Sequence, residues 1–376
     1  MFRTTFLIVL FTLVLSGQAF SAELRVPQDY PDLLTALNVS SNGDSIVIDT
    51  GVFSGQGFCN LVMNPPKNLL IMSRIGSAHT LIDCQQSEFL TVTDTFSIGG
   101  LLSIRGLSIT NCITAISIFT YAKAHITACN LAHCYGGLVD WSENSYVRMD
   151  SCTIQQCELG LEIHADSRFQ LTHSTITNCG TGVFWNFVPA GRMENNTFAN
   201  NYTALELVLF GADIRNNCLT SNNTGILYGG AFYDSIVARL SFRNNNVYGS
   251  FYANYLYVPN QTGTSDNISL DPKYCDETFN NFLVASTSPL LPEHNSSATT
   301  IGFIEGVACY CGDVDVSGNV DIGDISAIIS YLYLNGPAPT PPAAGEIDGI
   351  SPIDIADLTR LIDYLYISFL PLPCGI

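Results

Sequence analysis

The middle of the chain repeats one pattern of polar, small and apolar positions about every 22 residues. One column of the repeat is Cys or Asn, at intervals of 22, 23, 22, 22 and 21 residues: Cys112, Cys134, Cys157, Cys179, Asn201 and Asn222. The position three residues later is always small: Ala115, Gly137, Gly160, Gly182, Ala204 and Gly225. An aliphatic residue follows each of these, and a further apolar column contains Ile126, Met149, Leu171, Met193, Ile214 and Phe242. Such regular spacing predicts one structural unit per repeat.

A repeat of this length suits one coil of a parallel β-helix. Two-helix repeats are longer, and the chain has no leucine-rich consensus. In a β-helix, each short strand stacks on the equivalent strand of the next coil, about 4.8 Å away. We expect the small residue of each repeat to lie in a tight turn and the aliphatic residue after it to start a strand. Stacked Asn side chains can hydrogen-bond along the column, and a buried Cys fills a similar volume.

The N-terminal segment has the pattern of a secretory signal peptide. Arg3 precedes an apolar run from Phe6 to Leu15, and small residues follow around Ala19. The run is too short to span a bilayer, and no later segment has the length of a transmembrane helix. We therefore expect residues 1–21 to act as a signal peptide and the mature protein to be exported and soluble.

Composition limits the classes of function. Of the 376 residues, 47% are hydrophobic and only 12% are charged, which indicates a large buried core. The formal net charge is -19, with only 14 Lys and Arg, so nucleic acid and anionic membrane surfaces are poor partners. The 13 Cys are an odd number, and stacked Cys side chains point the same way. We expect most of them to be buried free thiols.

Near the C-terminus, the segment GDVDVSGNVDIGD has the spacing of a calcium-binding loop. Oxygen-bearing residues occupy loop positions 1, 3, 5, 7, 9 and 12. Gly318 occupies position 6, where the loop needs a sharp bend. These predicted ligands are Asp313, Asp315, Ser317, Asn319, Asp321 and Asp324, and an apolar helix follows from Ile325. A related loop begins 33 residues after the first, and its predicted ligands are Glu346, Asp348, Asp354 and Asp357. In this second loop Ile350 replaces a ligand and Pro352 fixes φ, so we expect it to bind calcium more weakly.

These segments resemble two known protein families. Residues 23–308 resemble the right-handed parallel β-helix proteins of the pectin-lyase-like superfamily, whose entry segment is similar to VPQDYPDLLTALNVSSNGDSIVIDTGVFSGQG from Val26. That resemblance implies an all-β domain over residues 22–308, with about 22 residues per coil and a capping helix over about Pro31–Val39.

The two loop-and-helix units of the tail resemble a type I dockerin, a module that attaches exported bacterial proteins to a cohesin-bearing partner. The resemblance implies a small α-helical calcium-binding domain over residues 309–376 and a cohesin-like partner. It also implies a bacterial protein that is secreted, either extracellular or at the cell surface. Because duplicated units bring the two ends of such a module together, Cys311 and Cys374 are the candidate disulfide.

On a β-helix, the outward side chains of one sheet form a surface that can hold a polysaccharide. The predicted outward column contains Glu162 and Glu206, which are two coils, or about 10 Å, apart. Their carboxyl groups could lean to the separation of about 6.5 to 9.5 Å that inverting glycosidases use. Trp141 and His164 follow in the next outward column, where they could supply a stacking platform for a sugar and a proton relay. Outward glutamates also occur simply because they keep a β-helix solvated.

Two classes of function remain open from the sequence. In the first, the β-helix binds carbohydrate or another surface polymer without catalysis, and the tail attaches it to an extracellular assembly. In the second, it is a polysaccharide hydrolase or lyase delivered by the same tail. Four arginines on another sheet alternate with acidic residues, so charge pairing between strands explains them without catalysis: Arg148, Arg192, Arg215 and Arg243. Trp141, Glu162, His164 and Glu206 are therefore predicted to bind substrate, and no catalytic residue is assigned.

Overall fold

A computed structural model describes residues 21–94, 100–119, 121–142, 144–164, 167–186, 190–208, 212–229, 241–276, 281–284, 288–304, 312–315, 317, 319–340, 342–348, 350, 352–370 and 372. Within these residues, the chain winds through about nine coils, and each coil contributes one short strand to each of three sheets. Neighbouring strands in all three sheets are parallel. The predicted parallel β-helix is therefore confirmed.

The strands of each sheet follow one another at intervals of one coil. Sheet 1 contains β1 (Glu23–Val26), β2 (Ser45–Ile48), β5 (Leu69–Ser73), β8 (Leu101–Arg105), β11 (Lys123–Thr127), β14 (Tyr146–Asp150), β17 (Arg168–Thr172), β20 (Ala190–Glu194), β23 (Ala212–Arg215) and β26 (Ser241–Arg243). Sheet 2 contains β3 (Gly51–Ser54), β6 (Thr80–Ser87), β9 (Ser108–Cys112), β12 (Asn130–Ala132), β15 (Thr153–Gln155), β18 (Thr175–Thr177), β21 (Thr197–Ala199), β24 (Cys218–Thr220) and β27 (Asn246–Tyr248). Sheet 3 contains β4 (Leu61–Met63), β7 (Leu90–Thr93), β10 (Thr114–Phe119), β13 (Gly136–Asp140), β16 (Leu159–His164), β19 (Thr181–Asn186), β22 (Thr203–Leu207), β25 (Thr224–Tyr228) and β28 (Ala253–Leu256).

The strand register agrees with the apolar columns of the sequence. Across sheet 1, Met149 lies between Ile126 and Leu171, as the repeat predicts. Across sheet 3, Leu161 lies opposite Val183, and both side chains are fully buried. Successive coils therefore stack their apolar side chains into one continuous core along the axis.

The turns of the coil differ from the prediction. The small residues Gly137 and Gly160 lie inside strands of sheet 3 and not in tight turns, and each strand begins before the small residue. They are small because a Cβ atom on Gly137 would lie 2.4 Å from the carbonyl oxygen of Gly160 on the next coil. The tight turns lie one residue before the Cys or Asn column, where φ is 51° to 58° at Asn111, His133, Gln156, Asn178, Asn200 and Ser221.

The Asn side chains form the hydrogen-bonded columns that the repeat predicts. Asn201 Oδ1 accepts the backbone N–H of Cys179 at 2.9 Å, and Asn222 Oδ1 accepts that of Asn201 at 2.9 Å. The Asn201 amide also donates to the carbonyl of Ile176 at 2.9 Å. A second column, of which the sequence showed only the first two members, runs through Cys129, Cys152, Ser174, Asn196, Asn217, Asn245 and Asn267.

Eight cysteines of the described residues are free, buried thiols, as the stacked columns predict: Cys59, Cys84, Cys112, Cys129, Cys134, Cys152, Cys157 and Cys179. Cys218 is also buried, and the Tyr274 hydroxyl donates to its sulfur at 3.2 Å. Burial raises the pKa of Cys129 to about 11, so this thiol stays protonated at neutral pH. The candidate disulfide between Cys311 and Cys374 lies outside the described residues, as do residues 1–20 of the predicted signal peptide.

Both ends of the coil stack carry added structure. At the first coils lies α1 (Leu33–Val39), within two residues of its predicted bounds, and Asp32 caps it by accepting the N–H of Thr35 at 2.7 Å. After the last coil, β29 (Tyr274–Asp276) pairs antiparallel with β30 (Asn281–Val284), and a 3₁₀ turn covers Pro292–His294. Val284, Leu290 and Ile301 pack on Cys218 of sheet 2, so this closing segment lies against the side of the stack.

The described residues of the tail form three helices: α2 (Ile322–Tyr333), α3 (Pro342–Gly345) and α4 (Ile355–Tyr366). Helix α2 begins three residues before the position predicted from the apolar pattern, since Asp321 caps it. The tail has a small hydrophobic core of its own, which contains Val314, Ile325, Ile328, Ile347, Leu358 and Leu361. Among the described residues, no helix has the length and hydrophobicity of a membrane span.

Candidate functional site

The predicted substrate-binding residues lie together on the outer face of sheet 3. Glu162 of β16 lies opposite Phe184 of β19, and Phe184 lies opposite Glu206 of β22. The two glutamates are therefore two coils, or about 10 Å, apart along the axis, with an aromatic ring between their strands. His164 follows Glu162 on the same strand, and Trp141 follows β13 directly, on the neighbouring coil.

Trp141, His164 and Glu162 form one cluster of contacts. The rings of Trp141 and His164 are stacked, with centroids 4.0 Å apart and planes 11° from parallel. The Nε2 atom of His164 lies 2.7 Å from Oε1 of Glu162, and the Asn186 amide nitrogen lies 3.4 Å from its Nδ1 atom. This pattern fits a neutral imidazole that donates from Nε2 to the carboxylate and accepts from Asn186 at Nδ1. Trp141 remains 53% exposed, so one face of the stack is open to solvent.

Glu206 has a different environment from Glu162. Burial raises the pKa of Glu206 above that of an ordinary glutamate, which favours its protonated form. Gly229 lies on the next coil after Glu206. A side chain at this position would crowd the carboxyl group, because a Cβ atom there would lie 3.1 Å from Oε1 of Glu206. The two carboxyl groups of this face are thus unequal: Glu162 is hydrogen-bonded to an imidazole, whereas burial raises the pKa of Glu206.

A buried carboxylate lies directly behind this face. Asp140, the last residue of β13, points into the coil, where Ile163 and Trp185 occupy the same position on the next two coils. It is fully buried and accepts hydrogen bonds from the hydroxyls of Ser142 and Ser145, the latter at 2.6 Å. Burial raises the pKa of Asp140 more than these hydroxyls lower it. The sequence contains a signal for this residue, which was not among the predicted site residues, because an acid interrupts an apolar column.

Phe184 and Asn186 also belong to the site and were not among the predicted substrate-binding residues. Phe184 lies 5.6 Å from His164, measured between ring centroids, and Asn186 contacts the imidazole as described above. Both belong to the same outward columns as Glu162 and His164, so the column register alone would have identified them.

Three of the four predicted arginines on the charged face of sheet 1 form ion pairs, whereas the fourth, Arg148, lies between His125 and Gln170 on the neighbouring strands. Arg215 pairs with Glu194 at 3.0 Å, and Arg243 pairs with Asp213 at 3.4 Å. Arg192 also contacts Glu194. Because these arginines already have carboxylate partners on their own or adjacent strands, this face is explained by charge pairing along the sheet.

The first tail loop brings three of its six predicted ligands together. Carboxylate oxygens of Asp313, Asp315 and Asp324 lie within 4.8 Å of one another. Asp324 is fully buried and accepts the backbone N–H groups of Val314 at 2.5 Å and Asp315 at 3.0 Å. Burial and the charge of Asp315 raise the pKa of Asp324, although backbone hydrogen bonds lower it.

The other predicted ligands of the first loop have different contacts. The backbone N–H of Ser317 donates to Asp313 at 2.9 Å, and its hydroxyl donates to the carbonyl of Asn319 at 3.2 Å. Asp321 is the N-cap of α2 and accepts the N–H of Gly323 at 2.7 Å. Ser317 is thus hydrogen-bonded to a carboxylate of the cluster and to Asn319, whereas Asp321 caps the helix that follows.

The second loop repeats this arrangement. Carboxylate oxygens of Glu346, Asp348 and Asp357 lie within 4.8 Å of one another, and Asp357 is fully buried. Asp354 is the N-cap of α4 and accepts the N–H of Ala356 at 2.6 Å, in the place that Asp321 has in the first loop. At the fifth position, Ile350 contributes only its backbone N–H, which donates to Asp348 at 2.9 Å.

The donor sets of both loops fit a hard cation such as calcium. Every clustered ligand atom is a carboxylate oxygen, and two of the carboxylates are fully buried close to others of the same charge. Calcium prefers oxygen ligands, and a bound cation would offset the repulsion within each cluster.

Comparison with known proteins agrees with the coil architecture. The family model described as "Right handed beta helix region" matches residues 100–269. The chain contains a right-handed β-helix. The matched segment includes Trp141, Glu162, His164 and Glu206, so the candidate site lies within it.

Several solved structures are similar to the chain at low sequence identity. Pectate lyase Pel9A has a TM-score of 0.44 at 11% identity, over 73% of this chain and 92% of that one. The A-module of mannuronan C-5 epimerase AlgE6 from Azotobacter vinelandii has a TM-score of 0.42 at 12% identity, over 59% and 73%. The PL6 family alginate lyase AlyGC, in a mutant form, has a TM-score of 0.23 at 11% identity, over 76% and 57%. A search of curated proteins gives no significant match.

Proposed function

We propose that the β-helix binds a polysaccharide on the outer face of sheet 3. The observation that carries this proposal is the exposed Trp141 ring, stacked on His164 beside Glu162. A flat aromatic face can stack on the apolar face of a pyranose ring, and adjacent carboxylate, imidazole and amide groups can hydrogen-bond its hydroxyls. Because equivalent residues recur on adjacent coils, the surface suits a long polymer lying along the axis.

The same face supports hydrolysis as a second candidate function. Glu162 is held by the imidazole of His164, whereas burial raises the pKa of Glu206. In an inverting hydrolase, Glu206 would protonate the leaving oxygen, and Glu162 would act as general base toward water, with His164 fixing its orientation. Two unequal carboxyl groups across one bound sugar are the minimum that this chemistry needs.

The tail is proposed to be a calcium-binding docking module. The carboxylate cluster of each loop, followed by a capped helix, supports calcium as its cofactor. The duplicated arrangement supports a dockerin-like domain over residues 309–376 with a cohesin-like protein as partner. With the signal sequence, this organisation describes a secreted bacterial protein whose β-helix is displayed outside the cell.

Binding and hydrolysis can be separated with three variants on a panel of soluble polysaccharides. Trp141→Ala should weaken binding of the best ligand about tenfold, since the stacking platform is lost. Glu162→Gln and Glu206→Gln should each retain binding and abolish any release of reducing ends.

The outcomes on this panel decide between the candidates. Binding without turnover by the wild-type protein supports the binding function and rejects hydrolysis. Unchanged binding by Trp141→Ala rejects sheet 3 as the polysaccharide surface, and retained turnover in both glutamate variants moves the reaction away from these residues.

A further inference from the structure

A second row of aromatic side chains runs along the turn between sheets 2 and 3. Tyr135, Tyr202 and Phe251 are 62%, 69% and 90% exposed. Tyr135 and Tyr202 directly follow Cys134 and Asn201 of the Cys or Asn column, and Phe251 follows Ser250 on the coil after Asn222. The backbone N–H of each donates to the column one coil earlier: Tyr135 to Cys112, Tyr202 to Cys179 and Phe251 to Asn222. We call these three residues the aromatic row. A phenylalanine as exposed as Phe251 contributes nothing to the core, which points to a role on the surface.

The spacing of the aromatic row follows the coil repeat. Tyr135 and Tyr202 are three coils, or about 14 Å, apart along the axis, and Phe251 lies two coils, or about 10 Å, beyond Tyr202. Gly180 occupies the position one coil before Tyr202 and has no side chain to cover the ring. The three residues thus recur along the coil axis on the same side of the stack, and all three side chains are exposed.

The chemistry around the aromatic row is polar and lacks positive charge. The adjacent column is the left-handed turn position, which carries Asn111, His133, Gln156, Asn178, Asn200 and Ser221. The positions of the row itself that are not aromatic carry Ile113, Glu158, Gly180 and Asn223. Neither set contains Lys or Arg, and the chain has a net charge of -19, so a polyanion has no electrostatic attraction to this line.

We propose that the aromatic row binds an unbranched neutral polysaccharide lengthwise, as a binding track separate from the one at Trp141. A β-linked pyranose unit is about as long as one coil is high, so sugars of a single extended chain would meet the three rings in turn. Tyr135 precedes β13 and Trp141 follows it, which separates the two tracks by the length of the strand, about 20 Å. The second track therefore does not depend on the function proposed for the face of sheet 3.

Co-sedimentation of the full chain with insoluble cellulose, xylan and mannan, with insoluble polygalacturonate as the charged comparison, tests this proposal. The combined variant Tyr135→Ala, Tyr202→Ala and Phe251→Ala should weaken binding at least about tenfold, since three exposed stacking surfaces are removed. Tyr135→Phe with Tyr202→Phe keeps the rings and should bind as the wild type does. Tyr333→Ala in α2, a residue 58% exposed and outside the row, is the matched control, and Trp141→Ala reports on the other track.

Four results would overturn the proposal. They are wild-type binding by the combined variant, no binding of the wild type to any neutral polysaccharide, binding only to polygalacturonate, and a loss of binding confined to Trp141→Ala. Dimerisation of the chain through the aromatic row would also overturn the proposal. Analytical ultracentrifugation would then show a dimer of the wild type that the combined variant does not form. Circular dichroism of that variant should match the wild type, because its three side chains lie outside the core.

Discussion

At the scale of single residues, Asp140 is a fully buried carboxyl group that the coil holds at a cost in free energy. Its strand neighbours in sheet 3 are Ile118 and Ile163, so the carboxyl group takes the place of an aliphatic side chain in the core. The hydroxyls of Ser142 and Ser145 satisfy part of its hydrogen-bonding capacity. Burial is the largest cause of its raised pKa, and the main opposing contributions come from serine hydroxyls and a backbone N–H, so ionising Asp140 places a charge in the core behind the candidate site.

Replacing this carboxyl group should change how stability depends on pH. The pKa of Asp140 is raised in the folded state, so the folded protein binds a proton that the unfolded chain has released. Wild-type stability should therefore fall as pH rises from about 4 through the raised pKa. Asp140→Asn cannot ionise, and its melting temperature should exceed that of the wild type by a margin that grows between pH 4 and pH 7.

Asp150→Asn is the opposing control for this experiment. Burial raises the pKa of Asp150, but hydrogen bonds from Thr172 and His173 lower it more, so its stabilising effect is present at neutral pH and lost on acidification. Thermal melts of both variants across the pH range would contradict the argument if the Asp140→Asn margin were the same at pH 4 and pH 7.

At the scale of elements, the inner columns join each coil to the next through side chains as well as backbone. Asn201 makes three hydrogen bonds in this column. Its Oδ1 atom accepts the backbone N–H of Cys179, its side-chain amide donates to the carbonyl of Ile176, and its backbone N–H donates to Oδ1 of Asn222. In the upstream coils a thiol replaces this amide, and Cys157 and Cys179 each donate to the carbonyl two residues before them at 3.4 Å. A thiol can keep the donor function, but it is a weak acceptor for the backbone of the previous coil.

Substitutions at Asn201 should separate these two functions. Asn201→Ala leaves the Cys179 N–H and the Ile176 carbonyl without this partner, and it should lower the free energy of unfolding by about 2 to 5 kcal/mol. Asn201→Cys restores a donor and similar volume, so its loss should be clearly smaller. Urea unfolding followed by circular dichroism measures both values, and equal losses in the two variants would contradict this, because they would show that the donor and the volume of a thiol replace nothing and that the amide acts through its acceptor oxygen.

The coil structure could be predicted from the sequence because the same pattern of inward and outward side chains recurs about every 22 residues. The register, the buried Leu161 and the outward positions of Glu162 and Glu206 all follow from the alternation of inward and outward side chains. The turn was predicted at the wrong residue, because a glycine indicates either a turn or a close approach between chains, and Gly137 has the second function. The contact between Trp141 and His164 depends on rotamers and ring orientation, which a column of letters does not contain.

The two loops of the tail should bind calcium unequally even though both assemble a carboxylate cluster. Ile350 offers no side-chain oxygen, whereas Ser317 has a hydroxyl at the equivalent position. Asp313→Ala should therefore remove most of the tight binding measured by calorimetric titration of the full chain, and Asp348→Ala should remove little. Two equivalent sites, or no binding at millimolar calcium, would contradict this order.

At the scale of the whole molecule, the β-helix and the tail have separate hydrophobic cores. Among the described residues, the carboxylate clusters suited to a cation lie in the tail: Asp313 with Asp315 and Asp324, and Glu346 with Asp348 and Asp357. The coils instead depend on stacking between neighbours, a source of stability that needs no ion. Calcium should therefore act on one part of the molecule only.

Differential scanning calorimetry of the full chain should show this as two transitions with different calcium dependence. A cation that binds only the folded tail stabilises it by RT ln(1 + [L]/Kd), so the tail transition should move up with calcium and down with a chelator. The β-helix transition should stay in place. A shift of both transitions by the same amount would mean that the two parts unfold as one unit.

The inner columns change composition from one end of the stack to the other. Thiols occupy the first column as far as Cys179, and amides continue it from Asn201; in the second column amides begin at Asn196. In a solenoid, each coil is held only by its neighbours, so this change creates a gradient of coupling along the axis. Slow hydrogen exchange should concentrate in the amide-bearing coils, and fraying should begin at the thiol-bearing ones. The β-helix should therefore unfold from its thiol-bearing end toward its amide-bearing end, although its coils have nearly the same backbone structure.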